Sequence, residues 1–272
     1  MTEVLVGIPT LNGSERLKRC LDSIAECTRF GVFERVTVLV CDDGSTEEEL
    51  ELNKNVIHDA SRRVPGLEML INGKREGIAR SWNKLIRHQT SDVAVLINDD
   101  IEVVEHWLDV LVYSVMENSV AGMVGLNSYV GVIKSQVQPP LRVDYNEAAL
   151  QFGNGTLLAS HGPIFAFRRE AYNLVGGFDE RYFCFYEELD FGVALYKKGL
   201  RHFMASYPIV YHMGGATNSD PRNLIASEEL ARSRAKFIDK WKATPEEIRR
   251  AMPLERKPPF LNEWHVQRNN WK

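Results

Sequence analysis

The 272-residue chain is 44% hydrophobic and 26% charged, ordinary proportions for a protein that buries a real core as one large domain or two small ones. A formal net charge of −4 supplies no global attraction to nucleic acid or to an anionic membrane. No run of eighteen apolar residues spans a bilayer, and the start, MTEVLVGIPT, lacks the basic residues, long apolar centre and small-residue cleavage site of a secretory leader.

EVLVGIPTLN reads as a buried strand ending at Pro9, Thr10, Leu11 and Asn12. SERLKRCLDSIAEC follows with Leu17, Cys20, Leu21 and Ile24 at i, i+3, i+4 and i+7, one face of a helix, with Ser14 or Asn12 available to cap it. RVTVLVCDDGS is a second buried strand. GIARSWNKLIRH sets Ile78, Trp82, Leu85 and Ile86 on one helical face before the strand DVAVLINDD. Near-continuous apolar strands alternating with amphipathic helices predict an α/β fold whose mostly parallel sheet is covered on both sides.

The second half is less regular. HWLDVLVYSVMEN reads as a helix, and AGMVGLNSYVGVIKSQVQPPLRV as a short strand and a polar loop. GPIFAFRREAYNLVGGFDERYF reads as strand, short helix and glycine turn. EELDFGVALYKKG is a helix that opens with acids and stops at Gly199; IVYHMGGATN is a last strand; a helix runs near 224–241. The tail from Ala243 is expected to wrap the surface. The four cysteines, Cys20, Cys27, Cys41 and Cys184, lack metal-type spacing and read as reduced residues of a cytoplasmic protein.

In doubly wound sheets, ligands bind beyond the carboxyl ends of the strands. Thr10–Asn12, Asp42–Asp43 and Asn98–Asp100 all fall there, so three polar strand ends converge on one crevice. Asp42 and Asp43 also suit a tight turn, since Asp-Gly-Ser is good turn chemistry. Asp99 and Asp100 repel each other at the end of an apolar strand. A divalent cation bound to a diphosphate would relieve that repulsion, because hard cations prefer carboxylate and phosphate oxygens. Gly77 permits close backbone approach, and the helix it opens can face a phosphate; Arg75 or Arg80 could add charge. Glu187, Glu188 and Asp190 complement the positive end of their own helix.

IPTLN, VCDDGST, REGIARSWN, LINDDIEV, GPIFAFRREAYNLVGGFDERYFCFYEELDF and VYHMGG occur in the order found in family 2 glycosyltransferases, and the chain resembles that family over roughly residues 3–216. The resemblance implies a single GT-A type domain over 1–242, with a Rossmann-like, mostly parallel sheet flanked by helices. It comprises a nucleotide-binding half (1–105), an acceptor and catalytic half (106–242), and a C-terminal extension at 243–272. It also implies an inverting, metal-dependent transfer of a sugar from a nucleotide-diphosphate donor, UDP favoured, to an acceptor hydroxyl.

By that resemblance Asp43 accepts the imide N–H of a uracil-type base, and Pro9, Thr10, Asn12, Asp42, Gly77, Asn98 and Asp99 join it around the nucleotide sugar. Asp100 and His212 hold Mn2+ or Mg2+. The family's acidic motif is Asp-x-Asp, where this chain has Asn98-Asp99-Asp100. The second of the paired acids is the base, which maps to Glu188, with Glu187 beside it as the alternative. The acceptor is unspecified, a glycan or lipid-linked sugar being the default and a protein or modified nucleobase remaining open. Two rivals are a sugar nucleotidylyltransferase and a non-catalytic nucleotide-sugar-binding module. The first would want a glycine-rich, basic loop after the first strand; the second has no use for the EELD acids.

Overall fold

β1 (Glu3–Thr10) and β2 (Arg35–Asp42) are apolar almost from end to end because helices cover both faces of the sheet they enter. The computed structural model describes residues 2–131, 134–136, 163–214 and 226–251. Successive side chains alternate between two cores: Val4, Val6 and Ile8 enter one, and Leu5 the other. The first core is closed by α1 (Ser14–Cys27), α2 (Glu47–Ala60) and α4 (Trp107–Glu117). The second is closed by α3 (Ile78–His88), α5 (Arg169–Val175), α6 (Glu187–Lys197), α7 (Ala226–Trp241) and α8 (Pro245–Ala251). An aromatic cluster fills the second core, with Phe178 stacked on Phe191 at 4.3 Å and Trp82 edge-on to Phe165 at 5.5 Å.

The other strands are β3 (Leu67–Ile71), β4 (Val93–Ile97), β5 (Ile101–Glu102), β6 (Ala121–Val130), β7 (Ile164–Arg168) and β8 (Arg201–His212). Among the described residues they form one sheet in the order β3-β2-β1-β4-β7-β6-β8-β5. β1 to β4 are parallel, β7 runs antiparallel between β4 and β6, and β6 and β8 are parallel. The mostly parallel α/β sheet expected from the apolar strands is thus observed. The chain steps outward from β1 through β2 to β3, then returns to lay β4 on the other flank of β1. A crevice opens at the carboxyl ends of β1 and β4, where the winding reverses.

Several local expectations are corrected. Neither Ser14 nor Asn12 caps α1; its N-cap is Gly13 without a side-chain bond, and the Ser14 N–H donates instead to Glu49 Oε2 at 3.2 Å. Asn12 is used elsewhere, its Oδ1 accepting from the Thr46 N–H at 2.9 Å. Helix α2 and strand β3 were not read from the sequence, although Thr46, which caps α2 by accepting from the Glu49 N–H, and the three acids after it are a helix-start signal. The tail expected from residue 243 begins with α8, which Thr244 and Glu247 open by reciprocal hydrogen bonds and whose Ile248 is buried. All four cysteines are free thiols. Residues 132–133, 137–162, 215–225 and 252–272 lie outside the described residues, and with them most of the segment 127–155 and of the tail, both expected to shape the acceptor. No helix among the described residues is long and apolar enough to cross a membrane.

Candidate functional site

A cleft of about 270 Å3 opens where the carboxyl ends of β1, β2 and β4 meet. Its lining brings together nine of the twelve site residues expected from the sequence: Pro9, Thr10, Asp43, Gly77, Asn98, Asp99, Asp100, Glu187 and His212. Asn12, Asp42 and Glu188 are not among the lining residues.

The two adjacent carboxylates after β4 are parted by being turned to opposite flanks. Asp99 faces the β1–α1 side, where its Oδ2 accepts from Thr10 Oγ1 at 2.7 Å and from Arg16 Nη2 at 3.3 Å. Arg16 is anchored by a further bond to the Leu11 carbonyl at 3.1 Å. Glycine at 13 makes this pairing possible, since a Cβ there would sit 2.4 Å from Arg16 Nη2 and 2.5 Å from Asp99 Oδ2. Burial pushes the Asp99 carboxyl up to about 6, with Arg16 pulling it back and Asp100 adding to the rise. One positive group beside the acidic pair is therefore the chain's own Arg16, a residue of the amphipathic helix α1.

Arg16→Met would leave Asp99 buried without its counter-ion, a loss of roughly 3–5 kcal/mol. Denaturant unfolding should show that loss at pH 7. It should shrink as pH falls and be nearly gone by about pH 6, because without Arg16 the Asp99 carboxyl takes up its proton above the value of about 6 that it has in the parent, and the uncompensated charge disappears.

Asp100 faces the other way. The two-residue strand β5 pairs Ile101 with His212 of β8, and this bridge carries His212 Nε2 to 3.3 Å from Asp100 Oδ2. Asp100 Oδ1 is buried with no hydrogen-bond partner among the described residues. An orphaned carboxylate oxygen beside an imidazole nitrogen fits a hard or borderline divalent cation. No group of three His, Cys, Asp or Glu side chains able to hold a metal occurs among the described residues, so these two would be its protein ligands.

Asp43 is the hub of the opposite wall. Its Oδ1 accepts from Asn72 Nδ2 at 2.8 Å, the Glu76 N–H at 3.0 Å and Ser81 Oγ at 3.0 Å, and its Oδ2 accepts from the Gly77 N–H at 2.9 Å. The Ile78 N–H donates to the Phe183 carbonyl at 2.8 Å. The amides opening α3 are therefore turned to Asp43 and Phe183 rather than to an incoming phosphate. Gly77, at φ 95°, answers to packing: a Cβ would lie 2.5 Å from the Phe183 carbonyl oxygen. Asp42 is wholly buried and serves the turn, accepting from the Gly44 and Ser45 amides at 3.0 and 2.8 Å and from Asn53 Nδ2 at 2.8 Å.

The fourth wall is the segment from Phe183 to Glu187. Phe185 and Tyr186 both hold positive φ, 67° and 71°, and this double turn directs Glu187 into the cleft. Glu187 is 6% exposed, and its Oε2 is buried without a hydrogen-bond partner among the described residues. Burial, then the neighbouring Glu188 charge, hold its carboxyl well above the usual carboxylate range. Of the two arginines left open by the sequence, Arg75 lines the cleft, with its guanidinium 5.0 Å from the Phe183 ring centroid and a buried Nε that has no partner among the described residues. Arg80 instead lies 3.8 Å from Glu180 on the surface.

The family model for glycosyl transferase family 2 matches residues 5–176. The N-acetylglucosaminyl-diphospho-decaprenol L-rhamnosyltransferase of Mycobacterium tuberculosis is 25% identical, over 84% of this chain and 82% of its own. Among solved structures, GalNAc-T7 with UDP, GalNAc and Mn2+ superimposes with a TM-score of 0.67 at 16% identity, over 89% of this chain and 49% of that one. The mannosyltransferase PcManGT from Pyrobaculum calidifontis, in complex with GDP-Man and Mn2+, gives 0.58 at 20% identity, over 89% and 66%. This chain thus spans about half the length of GalNAc-T7, and the two structural likenesses speak for the fold. With well over half of its length matched by the family model, on a GT-A type sheet, the chain belongs to glycosyl transferase family 2 and is a glycosyltransferase.

Proposed function

We propose that the protein is an inverting, divalent-metal-dependent glycosyltransferase that takes its sugar from a nucleotide-diphosphate donor, with a uridine nucleotide favoured. The acceptor is a hydroxyl of a glycan or of a lipid-linked sugar. The observation that carries this reading is a single cleft with an orphaned Asp100 oxygen beside His212 at one end and, on the wall, the desolvated Glu187 carboxyl, whose Oε2 has no hydrogen-bond partner among the described residues. A binding module has no need of the second.

The donor lies with its base toward Asp43 and its diphosphate toward Asp100. Asp43 Oδ2 carries one hydrogen bond, so one of its acceptor sites is left for an imide N–H. Asp100 and His212 would hold Mn2+ or Mg2+, which when bound would supply Lewis-acid stabilisation of the departing diphosphate. Arg75 adds a second positive group in the same cleft, kept in place by the Phe183 ring. Glu187 accepts the proton of the acceptor hydroxyl as its oxygen attacks the anomeric carbon from the face opposite the diphosphate. One bond forms as one breaks, so configuration inverts. Glu188 acts on Glu187 through its charge, making it the stronger base. The Mycobacterium relative, whose name specifies a lipid-linked N-acetylglucosamine acceptor, supports the acceptor class.

A thermal-shift panel of UDP-, dTDP- and GDP-sugars with and without Mn2+ tests donor and metal together. A cognate donor at a hundredfold excess over its Kd should stabilise the fold by about 2.7 kcal/mol. That gain should vanish in EDTA and in Asp100→Ala. Equal stabilisation in EDTA would remove the metal from the reading.

A further inference from the structure

We propose that α7 is a positioning clamp on the catalytic segment, and that Asp190 is the positioning residue through which it sets Glu187. The inference rests on the assignment of Glu187 to proton transfer.

Phe185 and Tyr186 are consecutive non-glycine residues at positive φ, a strained conformation that persists only where its surroundings overdetermine it. No side chain caps α6, the helix that this turn opens. What holds the turn is found on one face of α7. On its upstream side Ser233 Oγ donates to the Cys184 carbonyl at 2.8 Å, and Lys236 Nζ to the Arg181 carbonyl at 2.7 Å. Within the turn the Tyr186 ring packs on Phe237 with centroids 5.7 Å apart. On its downstream side Asp190 is gripped twice, Oδ2 accepting from Lys240 Nζ at 2.7 Å and Oδ1 from Trp241 Nε1 at 2.8 Å. Lys240 also reaches Asp179 Oδ2 at 2.8 Å, closing the segment at its far end.

Residues 233, 236, 237, 240 and 241 recur at helical spacing, so one rigid element bridges both sides of the strained turn. Asp190 is 2% exposed and absent from the cleft lining, so it neither touches substrate nor holds metal. Its carboxylate is occupied by α7 and by the Tyr182 hydroxyl at 3.2 Å. Carboxylates in this segment thus divide their work: Glu187 lines the cleft and keeps one oxygen, Oε2, without a partner among the described residues, while Asp190, one helical turn on, has both oxygens hydrogen-bonded and faces α7. All these contacts lie beyond residues 5–176 matched by the family model.

Cys184 reports on the clamp without any substrate. It lines the cleft, its carbonyl is one of the clamped groups, and burial pushes its thiol up to about 12, so it labels slowly while the segment is held. The full chain and its Ser233→Ala and Trp241→Phe variants would be labelled with a small maleimide, with each cysteine followed by peptide mass spectrometry. Each variant removes one anchoring hydrogen bond; Ser233→Ala also gives up a longer bond to Glu229 Oε1 at 3.3 Å, and Trp241→Phe trims the ring that Lys197 and Lys240 lie over. Cys184 labelling and amide exchange over 183–190 should rise about five- to tenfold, the equivalent of one net hydrogen bond, with Cys27 unchanged. With the donor selected by thermal shift, donor hydrolysis should fall in kcat while KM holds. Unchanged Cys184 labelling would overturn the clamp, as would a uniform rise at all four cysteines. Faster labelling with kcat intact would overturn the positioning role. Turnover of Glu187→Gln bears on the assignment of the base alone, so the two readings fail separately.

Discussion

Glu187→Gln is expected to lower turnover about 10²–10⁴-fold, the scale for losing general acid–base catalysis, while leaving the Kd for nucleotide sugar near that of the parent. The amide keeps the shape of the side chain and cannot take a proton. Oε2 of Glu187 makes no hydrogen bond among the described residues, so the swap breaks none of their contacts there, and the fold should survive it. Glu188→Gln should behave differently. A base must be ionised to act, so turnover rises with pH through the Glu187 pKa, which burial and the Glu188 charge together raise. Removing that charge should move the acidic limb of the pH profile to lower pH and retain most of the plateau rate. Collapse of turnover in Glu188→Gln with an unshifted Glu187→Gln would transfer the base to Glu188, the residue indicated by resemblance. Full activity in both would take the pair out of the mechanism.

The difference between these two glutamates marks where a sequence stops being readable. Both sit in the opening turn of α6, one residue apart, and periodicity assigns neither to a cleft. The direction of Glu187 comes from the positive φ of Phe185 and Tyr186, which no local preference of those residues announces. Asp99 and Asp100 pose the same problem in milder form. That apolar strands ending in carboxylates mark a ligand crevice was legible, because parallel strands bury their faces and expose their carboxyl ends. That one of the pair would be matched by Arg16 was not, since Arg16 sits among the charges of an amphipathic helix and only the 3.3 Å approach distinguishes it. His212 was legible as the polar end of an apolar strand, and the two-residue β5 that delivers it to Asp100 is too short to leave a pattern. The C-terminal helix was legible by its period, but its function was not. The partners of Ser233, Lys240 and Trp241 lie about fifty residues away in the chain.

Asp43→Ala should abolish nucleotide binding and destabilise the fold together, where a residue that only reads a base at an open strand end would lose binding alone. Its carboxylate accepts four hydrogen bonds, from Asn72, Glu76, Gly77 and Ser81, and it is 6% exposed. Each donor left buried without a partner costs about 1–3 kcal/mol, so several kcal/mol are at stake, a large share of the roughly 5–15 kcal/mol that a typical domain has. Asp43→Asn separates the two roles. If the amide oxygen takes the Oδ1 position, it keeps the bonds from Asn72, Glu76 and Ser81. Its NH2 group then opposes the Gly77 N–H, and donor faces donor both there and toward an imide N–H of the base. The fold should therefore weaken by about 1–3 kcal/mol, while uridine-nucleotide affinity falls much further than that loss accounts for. Urea unfolding with and without UDP and Mn2+ reads both quantities. If Asp43→Asn binds UDP as the parent does, the base is read by another group. Asp43 would then act only by holding the 72–81 segment that carries Arg75 and Gly77 into the cleft.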